Sequence, residues 1–174
     1  MCTGNICRSP MAEALLREHL RSRGVEARVR SAGTTAWTAN ATEHTVTVMR
    51  ERGLDVSAHT PQQLDASSIG EADLVIGMTR AHVWRANALA PDAEDRTFLV
   101  GELARLGASV GSRRPDEPVR AWAGRVAATR PAGAVVGRGD DEVPDPIGEP
   151  VEVYRATAER LDLELRVVAA LLAP

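Results

Sequence analysis

Hydrophobic positions along the chain change their period repeatedly, and each change marks an element. From residue 9 to 23, Met11, Leu15, Leu16 and Leu20 recur at helical spacing until Gly24 ends the run. Ser9 and Pro10 suit the N-cap and first helical positions there. Residues 26–32 alternate instead, with Ala27, Val29 and Ser31 opposed to Arg28 and Arg30, which predicts a strand with one wet face. Thr42 caps a second helix that ends at Gly53. Asp73 to Met78 reads as a short buried strand, and Thr79 caps the helix that follows. A further strand is expected over 97–100, a short helix over 102–106 and an arginine-rich helix over 116–129. The clearest stripe is the last: Tyr154, Ala158, Leu161, Leu165, Val168 and Leu172 step by four and three along one helix face.

This order predicts an α/β fold of three layers, a parallel twisted sheet of about four strands with helices on both faces. At 174 residues the chain is expected to form a single domain, 1–174, with the Pro-, Gly- and acid-rich stretch 130–144 as a flexible loop. Trp84 and Trp122 are read as packing residues.

Composition narrows the function classes. Apolar residues make up 44% of the chain, yet no apolar run reaches transmembrane length. A net charge of -3 and a pI near 5.8 give no reason to expect nucleic acid or an anionic membrane as partner. No charged and apolar leader opens the sequence, so a cytoplasmic location is expected. The only cysteines, Cys2 and Cys7, cannot supply a disulfide framework, and the histidines are dispersed, so neither metal nor cofactor is expected. All 21 basic side chains are arginines, a bias read as coding composition rather than function.

Candidate chemistry concentrates in the first ten residues, Met-Cys-Thr-Gly-Asn-Ile-Cys-Arg-Ser-Pro. Cys2 and Arg8 enclose five residues that lead into a helix start. Gly4 and Asn5 tolerate the backbone angles that turn N–H groups inward as an anion nest. The partial positive charge of the helix N-terminus adds to that nest, and Arg8 offers a planar fork to two oxyanion oxygens. The same field is expected to lower the pKa of Cys2, as thiols near helix N-termini and arginines fall to about 3.5–7.5. Such a thiolate beneath a bound phosphate is an activated nucleophile. Ser9 has a hydroxyl to donate to it. A proton donor is sought among Asp140, Asp141, Glu142 and Asp145. The run from Asp140 to Glu142 reads as solvated surface, whereas Pro144 and Pro146 restrict the backbone of Asp145.

The chain resembles the low-molecular-weight protein tyrosine phosphatases. The resemblance rests on the string C-x-G-N-x-C-R-S-P with the Ala-Glu-Ala helix after it, and on Ser31-Ala32-Gly33-Thr34 with Trp37. It continues through Ala58-His59, Ala72-Asp73-Leu74-Val75 with Met78, and Asp145-Pro146 before Glu152-Val153-Tyr154. It spans nearly the whole chain and is loose only from about 108 to 142. It implies hydrolysis of phosphotyrosine in proteins through a cysteinyl phosphate on Cys2, with Asp145 as general acid and base. Arg8, Ser9 and the amides of Thr3, Gly4, Asn5, Ile6 and Cys7 would hold the phosphate. His59 matches a histidine that braces the loop asparagine, here Asn5; the alternative is an exposed helix-end histidine. Trp37 matches an aromatic at the substrate mouth. Ile147 stands where the family often has an aromatic, so an aliphatic wall replaces a stacking ring. Cys7 is either a partner for a reversible, protective disulfide with Cys2 or a buried small hydrophobe. His19, His44 and His82 receive no role. The implied partner is a phosphotyrosine protein, and the protein is expected to be a monomer or weak dimer.

Rival functions differ at named residues. Arsenate reductases of this fold need cysteines downstream, and none follows Cys7. Protein arginine phosphatases of the family carry threonine where Ile6 stands. A third alternative is an inactive phosphate- or partner-binding relic, because the family's first strand precedes the nucleophile and Met1 alone stands there. A strand of about five residues would bury about 1.5–3 kcal/mol per large side chain, against a whole domain's net stability of about 5–15 kcal/mol. The expectation is therefore that the true start lies upstream and that the chain as written folds poorly.

Overall fold

Two short parallel strands, β1 (Val75–Gly77) and β2 (Thr97–Leu99), pair in the register Val75 with Thr97, Ile76 with Phe98 and Gly77 with Leu99. The computed structural model describes residues 1–35, 37–131 and 136–174. On the other flank of β1 the carbonyl of Met1 accepts the N–H of Met78. Cys2 then bridges Gly33, and Gly33 bridges Gln63, both in parallel sense. The segments therefore lie side by side in the order 63, 33, 1–2, 75–77, 97–99.

The expected strand over 26–32 does not form. Those residues run without a ladder, most of their side chains are exposed, and pairing begins only at Gly33. Alternation describes side chains, but a strand needs a run of paired backbone groups, and 26–32 holds no bridge, both bridges falling on Gly33. The anticipated sheet of about four strands thus comprises, among the described residues, two strands and two bridges.

Helices α1 (Arg8–Arg21), α2 (Glu43–Glu51), α3 (Ala66–Glu71), α4 (Arg80–Leu89), α5 (Val100–Val110), α6 (Val119–Ala127) and α7 (Val151–Leu172) cover this sheet. Alternate residues of β1 point to opposite faces. Val75 packs with Ile69 of α3 and Ala86 of α4, whereas Ile76 meets the cluster of Met11, Leu15, Leu161 and Leu165 and that of Phe98, Leu103 and Trp122. Both faces are therefore buried beneath helices in an α/β arrangement. The stripe read on α7 is the stripe that is buried, and it packs against Met11 and Leu15 of α1. Thr42 caps α2 as expected, its hydroxyl accepting the N–H of Thr45.

Several expectations are corrected. α5 is longer than the predicted 102–106. Trp122 is fully buried, but Trp84 is 72% exposed on the outer face of α4. Only part of the Asp140 to Glu142 run is solvated: Asp140 is exposed, but Asp141 is buried against Arg105, and Glu142 receives the backbone N–H and guanidinium of Arg80. Of the expected flexible loop over 130–144, residues 132–135 lie outside the described residues. On either side Arg130 is paired with buried Glu102, and Gly139–Asp141 forms a 3-10 turn.

Leu161 is fully buried in the helix α1 and α7 contact. Leu161→Ala is expected to lower unfolding free energy by about 2–5 kcal/mol in urea titration, through lost burial and a residual cavity.

Candidate active site

Residues 2–9 form a buried loop at the head of α1, in which Thr3 alone is exposed. The helix begins at Arg8 with Cys7 at the N-cap position, two residues earlier than the Ser9 cap and Pro10 start that the spacing suggested. Ser9 therefore lies inside the first turn, and its hydroxyl is released from capping. It sits 3.0 Å from the Cys2 sulfur and accepts Asn5 Nδ2 at 2.8 Å. Because the amide can only donate, the serine proton is free to point at Cys2.

Asn5 holds the loop's turn. Its φ of 57° is the left-handed conformation that asparagine tolerates better than most residues. The buried side chain is fully engaged: Nδ2 also donates to Ser31 Oγ at 2.9 Å, and Oδ1 accepts the N–H of Gln62 at 2.8 Å. His59 Nε2 donates to the Asn5 carbonyl at 2.8 Å, which places its proton on Nε2 and realises the bracing contact rather than an idle helix-end histidine. From the sequence, Ser31 is only part of a matching string, without a role, and Gln62 is not singled out, since nothing local distinguishes a serine or a backbone N–H that meets a loop so distant. Gly33 is needed where two backbones approach, for a Cβ there would lie 2.6 Å from the Thr3 carbonyl.

Arg8 brings in the other end of the chain. Its side chain is 3% exposed, and one terminal nitrogen donates to Asp145 Oδ2 at 2.6 Å while the other donates to the Val143 carbonyl at 3.1 Å. Its Nε is buried without a partner among the described residues. Asp145 keeps 39% of its side chain exposed, so the carboxylate has one side on the arginine and one on solvent. The backbone N–H of Ile147 reaches its other oxygen at 3.4 Å.

The remaining candidates line up differently. Trp37, 43% exposed, lies over the loop: a Cβ on Gly4 would stand 3.2 Å from its ring atoms. Ile147 is exposed on the Asp145 loop, and Ile6 is buried in the core beside Met11 and Leu15. Cys7 faces the hydroxyls of Thr42 and Tyr154 at 3.7 and 3.8 Å, and burial pushes its thiol pKa up. His19 pairs with Asp162, and His44 meets the Tyr154 ring edge-on.

His82 is a correction. Read as featureless, it is buried, with Nε2 3.0 Å from Thr3 Oγ1 and Nδ1 accepting the N–H of Thr79 at 3.1 Å. The signal was present: Thr79 and His82 stand at N-cap and N3, where an N3 side chain folds back on the cap residue. Together the buried guanidinium, the helix N-terminus and the loop amides suit a tetrahedral oxyanion set against the Cys2 sulfur.

Burial, then the charge of Arg8, lowers the His82 pKa from 6.5 to about 4. The folded protein thus binds fewer protons than the unfolded chain between those values, and its stability falls as pH drops through that window. Urea midpoints between pH 7 and pH 4 are expected to fall less steeply for His82→Asn than for the unaltered protein.

Comparison with known proteins agrees with this geometry. The family model described as low molecular weight phosphotyrosine protein phosphatase matches residues 1–108. A protein-arginine-phosphatase of Geobacillus stearothermophilus is 33% identical over 163 residues, covering 93% of this chain and 86% of that protein. A probable low molecular weight protein-tyrosine-phosphatase, EpsP of Ralstonia solanacearum, is 41% identical over 107 residues, 61% of this chain and 71% of its own. Among solved structures, a YwlE mutant from Bacillus subtilis superimposes with a TM-score of 0.72 at 28% identity, over 97% of this chain and 92% of that one. With the loop, the helix after it and the parallel sheet all inside the matched span, the chain belongs to the low molecular weight phosphotyrosine protein phosphatase family.

Proposed function

We propose that this phosphatase hydrolyses phosphotyrosine in proteins, and aryl phosphates generally, through a cysteinyl phosphate on Cys2. The observation that carries the reading is the 2.6 Å contact between Arg8 and Asp145, which sets a carboxylate with an exposed side beside the anion-binding guanidinium of the cysteine loop. The Cys2 thiolate attacks phosphorus in line while Arg8, Ser9 and the amides of Thr3, Gly4, Asn5, Ile6 and Cys7 hold the equatorial oxygens. Asp145 protonates the departing phenolate, then takes a proton from the water that hydrolyses the intermediate. In that second step the Ser9 hydroxyl, 3.0 Å from the sulfur, stabilises the leaving thiolate. Trp37 and Ile147 form the mouth that receives the aryl ring, and His59 keeps Asn5 in its turn.

The same reading gives a single domain over 1–174, in which the described parts of 130–144 lead to the Asp145 loop. Its fold is read as three layers, with a central parallel sheet that the bridges at Cys2, Gly33 and Gln63 extend beyond the two paired strands. The substrate is a phosphoprotein met by a cytoplasmic monomer or weak dimer, without nucleic acid or membrane. The net charge of -3 gives no reason to expect nucleic acid or an anionic membrane.

Phosphoarginine is the second reading, favoured by the relative from Geobacillus stearothermophilus that is named for it and matched over 93% of this chain. Ile6 weighs against it, since a buried branched hydrocarbon offers no hydroxyl in the loop. The unaltered protein is expected to turn over a phosphotyrosine peptide faster than a phosphoarginine peptide, and Ile6→Thr to narrow that ratio. A preference for phosphoarginine in the unaltered protein reverses the assignment.

Cys2→Ser is expected to reduce 4-nitrophenyl phosphate hydrolysis to background. Asp145→Asn is expected to lower kcat by about 10²–10⁴, the usual contribution of a general acid. Trapping phosphate on the protein in rapid-quench experiments checks the intermediate, and undiminished turnover by Cys2→Ser refutes it.

A further inference from the structure

His82 touches the phosphate loop from a second element and has no part in the mechanism above. Its ring is oriented by the start of α4, where Nδ1 accepts the Thr79 N–H at 3.1 Å and lies 2.8 Å from the Thr79 hydroxyl. With Nδ1 occupied as an acceptor, the neutral ring carries its hydrogen on Nε2, 3.0 Å from Thr3 Oγ1. His82 therefore donates and Thr3 accepts. Burial and the neighbouring Arg8 disfavour the imidazolium, so this tautomer persists at neutral pH.

Thr3 is the residue of the loop with the greatest need of such a tether. Its neighbours from Cys2 to Ser9 are buried, whereas Thr3 is exposed and has less packing to fix it. The same helix start reaches the other half of the site. The Arg80 N–H and guanidinium bind Glu142 at 2.7 and 3.1 Å, holding that carboxyl below its usual range. The next residue, Val143, donates its N–H to Met78 and offers its carbonyl to Arg8. Asp145 follows two residues on. The first turn of α4 thus contacts the cysteine loop through His82 and the Asp145 segment through Arg80.

We propose that His82 is a positioning residue of the phosphate loop, which holds Thr3 through Nε2 and keeps the loop in register with the Asp145 segment. The proposal rests on the phosphatase reading above. Its consequence is that phosphate affinity depends on a hydrogen bond that does not itself touch phosphate.

Two variants separate the two ends of the ring. Glutamine places a donor where Nε2 stands, and asparagine places only an acceptor where Nδ1 caps α4. His82→Gln is expected to keep kcat/KM for 4-nitrophenyl phosphate within about threefold. His82→Asn is expected to lose about tenfold, the scale of one buried hydrogen bond, with the inhibition constant of inorganic phosphate raised in step. The reverse order is the signature of a helix cap alone and overturns the proposal, as do unchanged constants in both. Thr3→Val tests the contact from the other side with the cap intact. It is expected to lose about tenfold, and the double variant with His82→Asn no more than either alone. Additive losses, or a Thr3→Val with unaltered constants, sink the proposal even where a His82 variant folds poorly. Should the unaltered protein show no turnover, the phosphatase reading falls by itself. Calorimetric phosphate affinities of Thr3→Val and its double variant then still decide the role of His82.

Discussion

The buried guanidinium of Arg8 is the constraint on which the site depends. A charge that is 3% exposed costs several kcal/mol unless partners come to it, and Asp145 and the Val143 carbonyl do so from near the far end of the chain. The contact closes a circuit of more than a hundred residues. It fixes the first turn of α1 against the Asp145 loop, while Met11 and Leu15 fix the body of α1 against α7. Both attachments have to be satisfied together. The position of the sulfur relative to the carboxylate is thereby set by the packing of two helices rather than by either loop alone.

What the sequence disclosed about this arrangement follows the range of the interactions involved. The stripe on α7 and the cap at Thr42 depend on residues within one or two turns, and they sit where the pattern placed them. The cysteine loop was legible for the same reason, with Gly4, Asn5 and Arg8 all local. Alternation over 26–32 failed because pairing is a property of a neighbouring backbone, which no side-chain pattern contains. The acidic run failed likewise: Asp141 meets Arg105 and Glu142 meets Arg80, partners 36 and 62 residues away. Trp84 shows the converse limit, since a large apolar residue on a helix is no guarantee of a covered face. His82 belongs to neither class. Its cap spacing from Thr79 was local and readable, but its contact with Thr3 was not.

The absence of lysine takes on a structural meaning that composition alone did not suggest. Arg105 binds both oxygens of Asp141, Arg125 both oxygens of Glu117 and Arg155 both oxygens of Glu51, while Arg130 bridges the two oxygens of Glu102. Each uses the planar fork, which an ammonium group cannot reproduce. Their worth is unequal. The exposed Arg155 pair is screened and adds little. Glu102 is buried, accepts the N–H groups of Leu99 and Gly137, and has both oxygens on Arg130. Arg130 also lies 4.3 Å above the Phe98 ring, so one guanidinium ties the edge of β2 to the segment leading toward Asp145.

Fixed and accessible parts of the site are thus separated. Apart from Thr3, the residues of the loop are buried, and Asn5 and Ser9 are held by hydrogen bonds within it and to Ser31 and Gln62, so it presents the same geometry to any phosphate monoester that reaches it. Choice among such esters falls to the rim, where Trp37, Asp145 and Ile147 retain solvent contact. Trp37 supplies a flat apolar face above Gly4, and Ile147 supplies a branched side chain that can touch an aryl ring but cannot stack on it. On the proposed reading of this rim, an aromatic leaving group is gripped from one side only. On the proposed mechanism, binding energy for a phosphotyrosine side chain is concentrated in the Trp37 contact and the phosphate, and the Asp145 loop contributes the proposed proton more than an affinity.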